Sequence, residues 1–290
     1  MSNTFVYPPL RSTRNNFKCP NCARPLVQLD EQHQTWRCDN NHSFDMAREG
    51  YLNLLLAQHK RSRNPGDSDE MIRSRQRFLG AGYYRPLSDA IVSAVVNAAG
   101  GFEQRVVDLG CGEGHYLQQL REASSELTLL GMDISKLAVR LAAKRNMNAL
   151  LAVDSVFNIP LFDNSIDTAV SVFSPISADE TARILKPGGT LIMVGPGEEH
   201  LSGLTALIYQ QTVPHRGNNQ VLENAPQFAL QQQLDIKQSI VVNGTDILDL
   251  LKMTPYYWHS RPEQQQMLAE LDKLETIIHF YITVYHNQSG

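Results

Sequence analysis

The chain reads as an α/β protein: a doubly wound, mostly parallel sheet with a small metal-binding module ahead of it. Three observations predict this. Strand-like apolar runs alternate with helix-period segments from Val106 to Val194. An acid followed by alternating glycines, Asp108-Leu-Gly-Cys-Gly-Glu-Gly114, joins the first of those runs to the first of those helices. Cys19, Cys22, Cys38 and His42 stand at C-x2-C, a fifteen-residue gap and C-x3-H.

Each element follows from local signals. From Phe17 to Asp45 short strand-like pieces alternate with turns, and Trp36-Arg37-Cys38 with His42-Ser43-Phe44 reads as the second hairpin of a zinc ribbon. Pro65-Gly66 marks a turn. A helix is expected from Asp67–Ser68, with Asp69 and Glu70 complementing its positive N-terminal end and Arg73, Arg75 and Arg77 along it. After Pro86, Leu87, Ile91, Val95 and Val96 recur at helical spacing. Strands are then expected at Val106–Leu109, Leu127–Asp133, Leu150–Val153, Thr168–Phe173 and Thr190–Val194, and helices at Tyr116–Glu122, Lys136–Arg145 and Asp179–Leu185. Leu234–Val242 and Ile277–Tyr285 are expected to pair antiparallel at one edge.

The 290 residues allow one large domain of about 230 residues plus a small module. The expected division is a flexible tail at 1–16, a zinc-binding module at 17–60 and the α/β domain at 61–290. Apolar residues make up 42% of the chain, enough for a full core. No run approaches the roughly 20 apolar residues of a membrane span, and MSNTFVYPPLRSTRNN lacks the apolar stretch of a secretory leader.

Three thiolates and an imidazole complete a tetrahedral zinc site, and four protein ligands leave no open position for catalysis. A segment so short cannot bury an adequate core, so metal binding must supply folding free energy, on the order of 10–16 kcal/mol in zinc-finger peptides. The fourth cysteine, Cys111, lies inside the glycine loop, so no pair remains for a disulfide. A reducing cytoplasm is the expected setting.

The glycine loop differs from the dinucleotide pattern because its glycines alternate and an acid leads. That acid would repel a phosphate and suits an amino group, such as the amino-acid end of S-adenosylmethionine. Asp108, Gly110, Gly112, Glu113 and Gly114 are therefore candidate donor-binding residues. Asp133 ends the next strand, where a carboxylate can accept both hydroxyls of a ribose. Asp154 and Ser155 follow the third strand, placed for an adenine amino group. Leu185-Lys-Pro-Gly-Gly189 and Leu161-Phe-Asp-Asn-Ser-Ile-Asp167 resemble segments of class I methyltransferases. A nucleotide-binding fold with another cofactor is the plainer alternative.

Net charge is −4, which excludes a uniformly basic nucleic-acid binder, but the distribution is uneven. Residues 1–85 hold 13 Lys+Arg against 8 Asp+Glu, and the remainder holds 13 against 22. The basic side is the metal-binding side, and a local positive footprint is what nucleic-acid binding requires. His59, Lys60, Arg61 and Arg63 are the candidate RNA contacts; an ordinary solvated run is the alternative.

Further stretches join these motifs: His42-x-Phe-Asp-Met-Ala-Arg-Glu-Gly-Tyr-Leu-Asn-Leu54, Gln58-His-Lys-Arg-Ser-Arg-Asn-Pro-Gly-Asp-Ser68 and Met253-Thr-Pro-x-x-Trp258. Together with Cys19-Pro-x-Cys22 and Lys186-Pro-Gly-Gly189, they are similar to the bacterial 23S rRNA (guanine-N1)-methyltransferases of the RlmA type, over about residues 17–286. The resemblance implies a class I methyltransferase domain with a seven-stranded, mostly parallel sheet behind a zinc-ribbon module that recognises RNA. It implies S-adenosylmethionine and structural zinc as cofactors, and methylation of guanine N1 in a hairpin loop of domain II of 23S rRNA. It also implies a homodimer. Tyr84 and His200 match family positions that contact the donor, and His200 or a carboxylate is a candidate base. A sister branch modifies a neighbouring guanine and confers macrolide resistance; the HKRSRNPGDS run and Cys111 favour the first branch. A small-molecule methyltransferase with a structural zinc module, and a non-catalytic RNA-binding protein, stand as the rival readings.

Overall fold

The computed structural model describes residues 17–28, 34–59, 65–99, 103–209 and 220–289. The expected tail at 1–16 lies outside them, as do Lys60, Arg61 and Arg63 of the basic run. The N-terminal part contains β1 (Val27–Gln28), β2 (Thr35–Arg37) and β3 (Ser43–Asp45). These form a small antiparallel sheet in the order β1-β2-β3, with Trp36 opposite Phe44 as the ribbon reading requires.

The chain then runs through β4 (Tyr51–Asn53), α1 (Asp69–Gly80), α2 (Arg85–Ala99), β5 (Arg105–Leu109), α3 (His115–Ala123), β6 (Thr128–Asp133), α4 (Lys136–Ala143) and β7 (Ala149–Val153). It continues with β8 (Ile166–Val172), α5 (Ala178–Ile184), β9 (Leu185–Pro196), α6 (Ser202–Ile208), α7 (Gln220–Glu223), β10 (Phe228–Asn243), α8 (Asp246–Lys252), α9 (Pro262–Ala269) and β11 (Lys273–Asn287). Short polar caps start several of these helices. Ser68, Ser135 and Ser177 each accept a backbone N–H of the first turn of α1, α4 and α5.

The large sheet has the order β10-β11-β9-β8-β5-β6-β7-β4. From β9 to β4 the strands are parallel, and β11 and β10 close one edge antiparallel, as the sequence indicates. The expected count of seven strands is one short. The eighth is β4, which pairs parallel with β7 in the register Tyr51↔Leu151, Leu52↔Ala152 and Asn53↔Val153. Tyr51 and Leu52 point to opposite faces and both are buried, the signature of a parallel strand covered on both sides.

Two apolar layers flank the sheet. On one face Val106, Leu117, Leu129 and Tyr51 pack with Phe78, Leu87 and Ile91 of α1 and α2. On the other, Val107, Leu109 and Leu130 pack with Phe17, Leu26 and Trp36 of the ribbon. The metal module is thus a cover for one face of the sheet. Its backbone is also tied there: the Lys18 N–H donates to the Pro160 carbonyl at 2.8 Å, and Lys18 Nζ reaches Asp163 at 3.5 Å. Burial of side chains like these contributes about 1.5–3 kcal/mol each.

Strand order reverses between β5 and β8, the two strands flanking the first βα turn. In open α/β sheets that point leaves a crevice beyond the carboxyl ends of the strands, where ligands bind.

Candidate functional site

A cavity of about 730 Å³ opens at this point. Its wall includes Tyr84, Gly110, Gly112, Glu113, Asp133, Asp154, Ser155 and His200, eight of the ten residues nominated for the donor. Asp108 and Gly114 do not line it.

The glycine loop is shaped by close approach. Gly110 has φ +83° and lies so near Ser174, just past β8, that a Cβ there would overlap the serine side chain. Gly114, also at φ +83°, is the left-handed N-cap of α3 and packs against Ala142 and Met147. Only glycine meets both demands without strain.

The carboxylates differ in their freedom. Asp133 Oδ2 accepts the Gly112 N–H at 3.0 Å and Oδ1 accepts the Ser135 N–H at 2.8 Å. These bonds fix the carboxylate across the loop and leave a lone pair on each oxygen. Burial raises its pKa against the lowering by those two N–H groups. Asp154 Oδ1 accepts the Ser155 N–H at 2.7 Å, while Oδ2 is buried with no partner among the described residues. Burial pushes the Asp154 pKa up to about 7. Asp108 lies behind the loop, 2% exposed, with Oδ1 unpartnered among the described residues; burial, then the nearby Asp133 charge, pushes it to about 7 as well. Glu113 is ion-paired with Arg145, whose Nε also donates to the Glu113 carbonyl at 2.7 Å, so this acid anchors the loop to the end of α4.

Tyr84 and His200 meet inside the protein, Oη to Nε2 at 3.2 Å. The His279 backbone N–H donates to His200 Nδ1 at 3.2 Å, so Nδ1 carries no proton. The neutral ring then holds its proton on Nε2 and donates it to Tyr84 Oη. With Nδ1 already accepting and Nε2 carrying the proton, the neutral ring has no free lone pair with which to take up a proton, and its contact with Tyr84 fits a positioning role. Phe173, the residue after β8, adopts φ +54° and lies over the His200 ring at 5.9 Å with a 30° interplanar angle. A bulky residue held in the left-handed region, 39% exposed at a cavity wall, is the kind of strain that functional sites retain.

Sequence reasoning missed several wall residues: Gly66 and Asp67 before α1, Met71, Arg75 and Leu79 along it, His115, and Met253 to Tyr256 after α8. For Arg75 the helix face was legible and the surface it meets was not. Arg75 stands four residues from both Met71 and Leu79, on the inward stripe of an amphipathic helix. His115 is neutral at physiological pH, because burial, then the Arg145 charge, pushes it down to about 4.

The metal ligands converge as the spacing indicates. Donor atoms of Cys19, Cys22, Cys38 and His42 all lie within 4.8 Å of one another. Cys22 Sγ is 3.6 Å from Cys38 Sγ, and His42 Nδ1 is 3.5 Å from Cys19 Sγ and 3.4 Å from Cys38 Sγ. A tetrahedron with Zn–S of about 2.3 Å and Zn–N of about 2.0–2.1 Å has edges of about 3.5–3.8 Å. The donor set fits structural zinc. Of the nominated RNA contacts, only His59 falls within the described backbone, at the end of the 3-10 turn Ala57–His59.

The donor-site chemistry also fits its group. The buried Asp154 acceptor suits an exocyclic amine, the bridging Asp133 suits a diol, and the acidic wall suits a sulfonium and an ammonium. S-adenosylmethionine is the cofactor of this fold, and zinc its structural metal.

Comparison with known proteins agrees with both halves. A family profile described as "RlmA, N-terminal" matches residues 17–63, and one described as "Methyltransferase domain" matches residues 106–189. A Streptomyces fradiae protein named 23S rRNA (guanine(748)-N(1))-methyltransferase is 35% identical over 264 residues, covering 90% of this chain and 92% of that one. A Micromonospora griseorubida protein, named a candidate 23S rRNA (guanine-N(1)-)-methyltransferase, is 33% identical over 85% of this chain and 88% of its own. A similarly named Bacillus subtilis protein is 29% identical over 90% of this chain and 94% of its own. Identity of 35% and 33% over most of the chain and of each relative shows the family, and the chain belongs to the family of 23S rRNA (guanine-N1)-methyltransferases.

Proposed function

We propose that this protein methylates N1 of a guanine in a hairpin loop of domain II of 23S rRNA, using S-adenosylmethionine. The observation that carries the reading is the joint presence, in one chain matching such an enzyme over 90% of its length, of a ribbon with four converged zinc ligands and a cavity lined by the candidate donor residues. When bound, S-adenosylmethionine supplies an electrophilic methyl group. Asp133 holds the ribose hydroxyls, Asp154 and Ser155 hold the adenine edge, and Gly110 and Gly112 let the backbone lie against the amino-acid end. Asp108 supports the amino group from beneath the loop, through its negative potential. Tyr84, oriented by His200, borders the reacting centre, and the Phe173–Pro175 wall receives the extruded guanine.

Alignment and exclusion of water are the main work of such a site, since the displacement is in line at carbon. An N1–H guanine is stacked and paired in a duplex, so a hairpin loop is the favourable target: its bases are splayed and one can enter a pocket. The ribbon and the basic run His59, Lys60, Arg61 and Arg63 grip the surrounding phosphates. The setting is the cytoplasm, the working form is a homodimer, and no membrane is involved; no helix among the described residues is long and apolar enough to cross one.

Purified protein incubated with 23S rRNA lacking the modification and methyl-labelled donor tests the reading. Mass mapping should place one methyl on guanine N1 in domain II, and transfer only to small molecules would overturn it. A second reading places the methyl on guanine 748, because the Streptomyces relative is named for that position. The same map separates the two positions by their fragment masses.

A further inference from the structure

The donor proposed for this cavity ends in an amino acid, and its carboxylate needs a counterion. The wall is otherwise acidic, carrying Asp67, Glu113, Asp133 and Asp154. Among the described residues that line it, Arg75 is the one arginine or lysine. Arg145, nearby, is held by Glu113 and Gln118 and does not line the wall.

Arg75 is built into place. It projects from α1 between Met71 and Leu79, both of which share the wall. Nη1 donates to Asp67 at 2.6 Å and Nη2 to the Met253 carbonyl at 3.2 Å. Two of the five N–H donors of a guanidinium are thereby used, which leaves three for a ligand. The side chain is 31% exposed, so it remains open to the cavity. Its charge is felt at Tyr84, Glu113, Tyr116 and Asp133, the groups around the glycine loop and Tyr84 rather than those around Asp154.

We propose that Arg75 binds the carboxylate of the donor's amino-acid end, with Asp67 and the Met253 carbonyl holding its guanidinium in position. The proposal rests on the S-adenosylmethionine reading. A planar guanidinium matches a carboxylate with two parallel N–H···O bonds, whereas a lysine offers a point charge only. The opposed ligand charges are thereby sorted within one pocket. Ammonium and sulfonium face the acids, and the carboxylate faces the single cation.

Two adenosine ligands test this by calorimetry on the full-length zinc-loaded protein. S-adenosylhomocysteine carries the amino-acid end, and 5′-methylthioadenosine lacks it but keeps ribose, adenine and sulfur. Arg75→Met should weaken S-adenosylhomocysteine binding about 10- to 150-fold, the loss of charged hydrogen bonds, and leave 5′-methylthioadenosine within about twofold. Arg75→Lys should fall between, keeping charge but losing the fork. Equal losses for both ligands would overturn the proposal, because the arginine would then be shaping the pocket. So would unchanged S-adenosylhomocysteine affinity, which would free Arg75 for RNA phosphate. If the unaltered protein binds neither ligand, the donor reading itself fails, a result distinct from either.

Discussion

Replacing Asp154 by Asn should stabilise the ligand-free protein above neutral pH and weaken its donor binding, two effects of opposite sign from one atom. The carboxylate is 2% exposed, Oδ2 has no partner among the described residues, and burial pushes the pKa from 3.8 to about 7. A raised pKa in the folded state means the folded protein holds the proton more tightly than the unfolded chain. The penalty is absent below about pH 4, grows as pH rises, and is complete above about pH 7. At 1.36 kcal/mol per pKa unit, the gap between 3.8 and about 7 amounts to about 4 kcal/mol against the ionised form. Asn keeps the shape and the acceptor for the Ser155 N–H but never ionises. The stability difference between variant and parent should therefore shift in the variant's favour by about 4 kcal/mol between pH 4 and pH 8.

Asp108, also 2% exposed and pushed to about 7, contributes a second slope of the same sign, and His115, pushed down to about 4, one of opposite sign between about pH 4 and 6.5; both are common to the two proteins and cancel in the difference between variant and parent. Urea denaturation from pH 4 to 8 measures this. In the donor arm, the amide oxygen of the variant is taken by the Ser155 N–H, so its NH2 faces the cavity where an acceptor stood. Two donors then confront each other, and affinity should fall roughly 5- to 150-fold, a loss of about 1–3 kcal/mol. Parallel pH profiles for the two proteins would refute the buried-carboxylate reasoning. A general packing defect would lower both stability and affinity, which the opposed signs exclude.

Three further outcomes are expected. Asp133→Ala should weaken donor binding roughly 5- to 150-fold in calorimetry, because the ribose diol loses its acceptor and the Gly112 and Ser135 N–H groups lose theirs. Cys22→Ala should abolish stoichiometric zinc by metal analysis and lower the main unfolding transition of the whole chain, since Phe17, Leu26 and Trp36 share an apolar layer with Val107 and Leu130; an unchanged main transition would show the ribbon to be an independent unit. Neutralising Lys60, Arg61 and Arg63 together should flatten the salt dependence of rRNA-hairpin binding by about 0.9 per lost duplex contact, or about 0.7 per single-strand contact, with donor affinity unmoved.

What the sequence disclosed and what it hid divide along physical lines. The βα alternation, the capped α1 and the zinc ligands were legible because each is a local pattern with one geometric solution: a period, a serine at a helix start, a thiolate pair at C-x2-C spacing. The strand β4 was not. Tyr51-Leu-Asn-Leu-Leu-Leu56 is a short apolar run, which periodicity alone leaves ambiguous between strand and buried helix. Its partner β7 lies about a hundred residues away, so no neighbouring turn announces the pairing. The same limit explains Arg75. A charge on a helix reads as solvated until the partner surface is known, and here that surface includes Met253, 178 residues distant.

Asp108 illustrates the converse. The motif places it at the head of the loop, yet β5 is central and buried on both faces, so its carboxylate points beneath the loop instead of into the cavity. Burial makes this acid easy to protonate, and a cation above the loop would favour its charged form again. Donor binding and Asp108 ionisation are therefore coupled: a sulfonium or ammonium in the cavity recovers part of the penalty that the ligand-free protein carries above neutral pH. On the proposed reading, the acid that identifies the site in the sequence acts through potential rather than contact, while Arg75, whose helix face but not partner the sequence shows, faces the ligand directly.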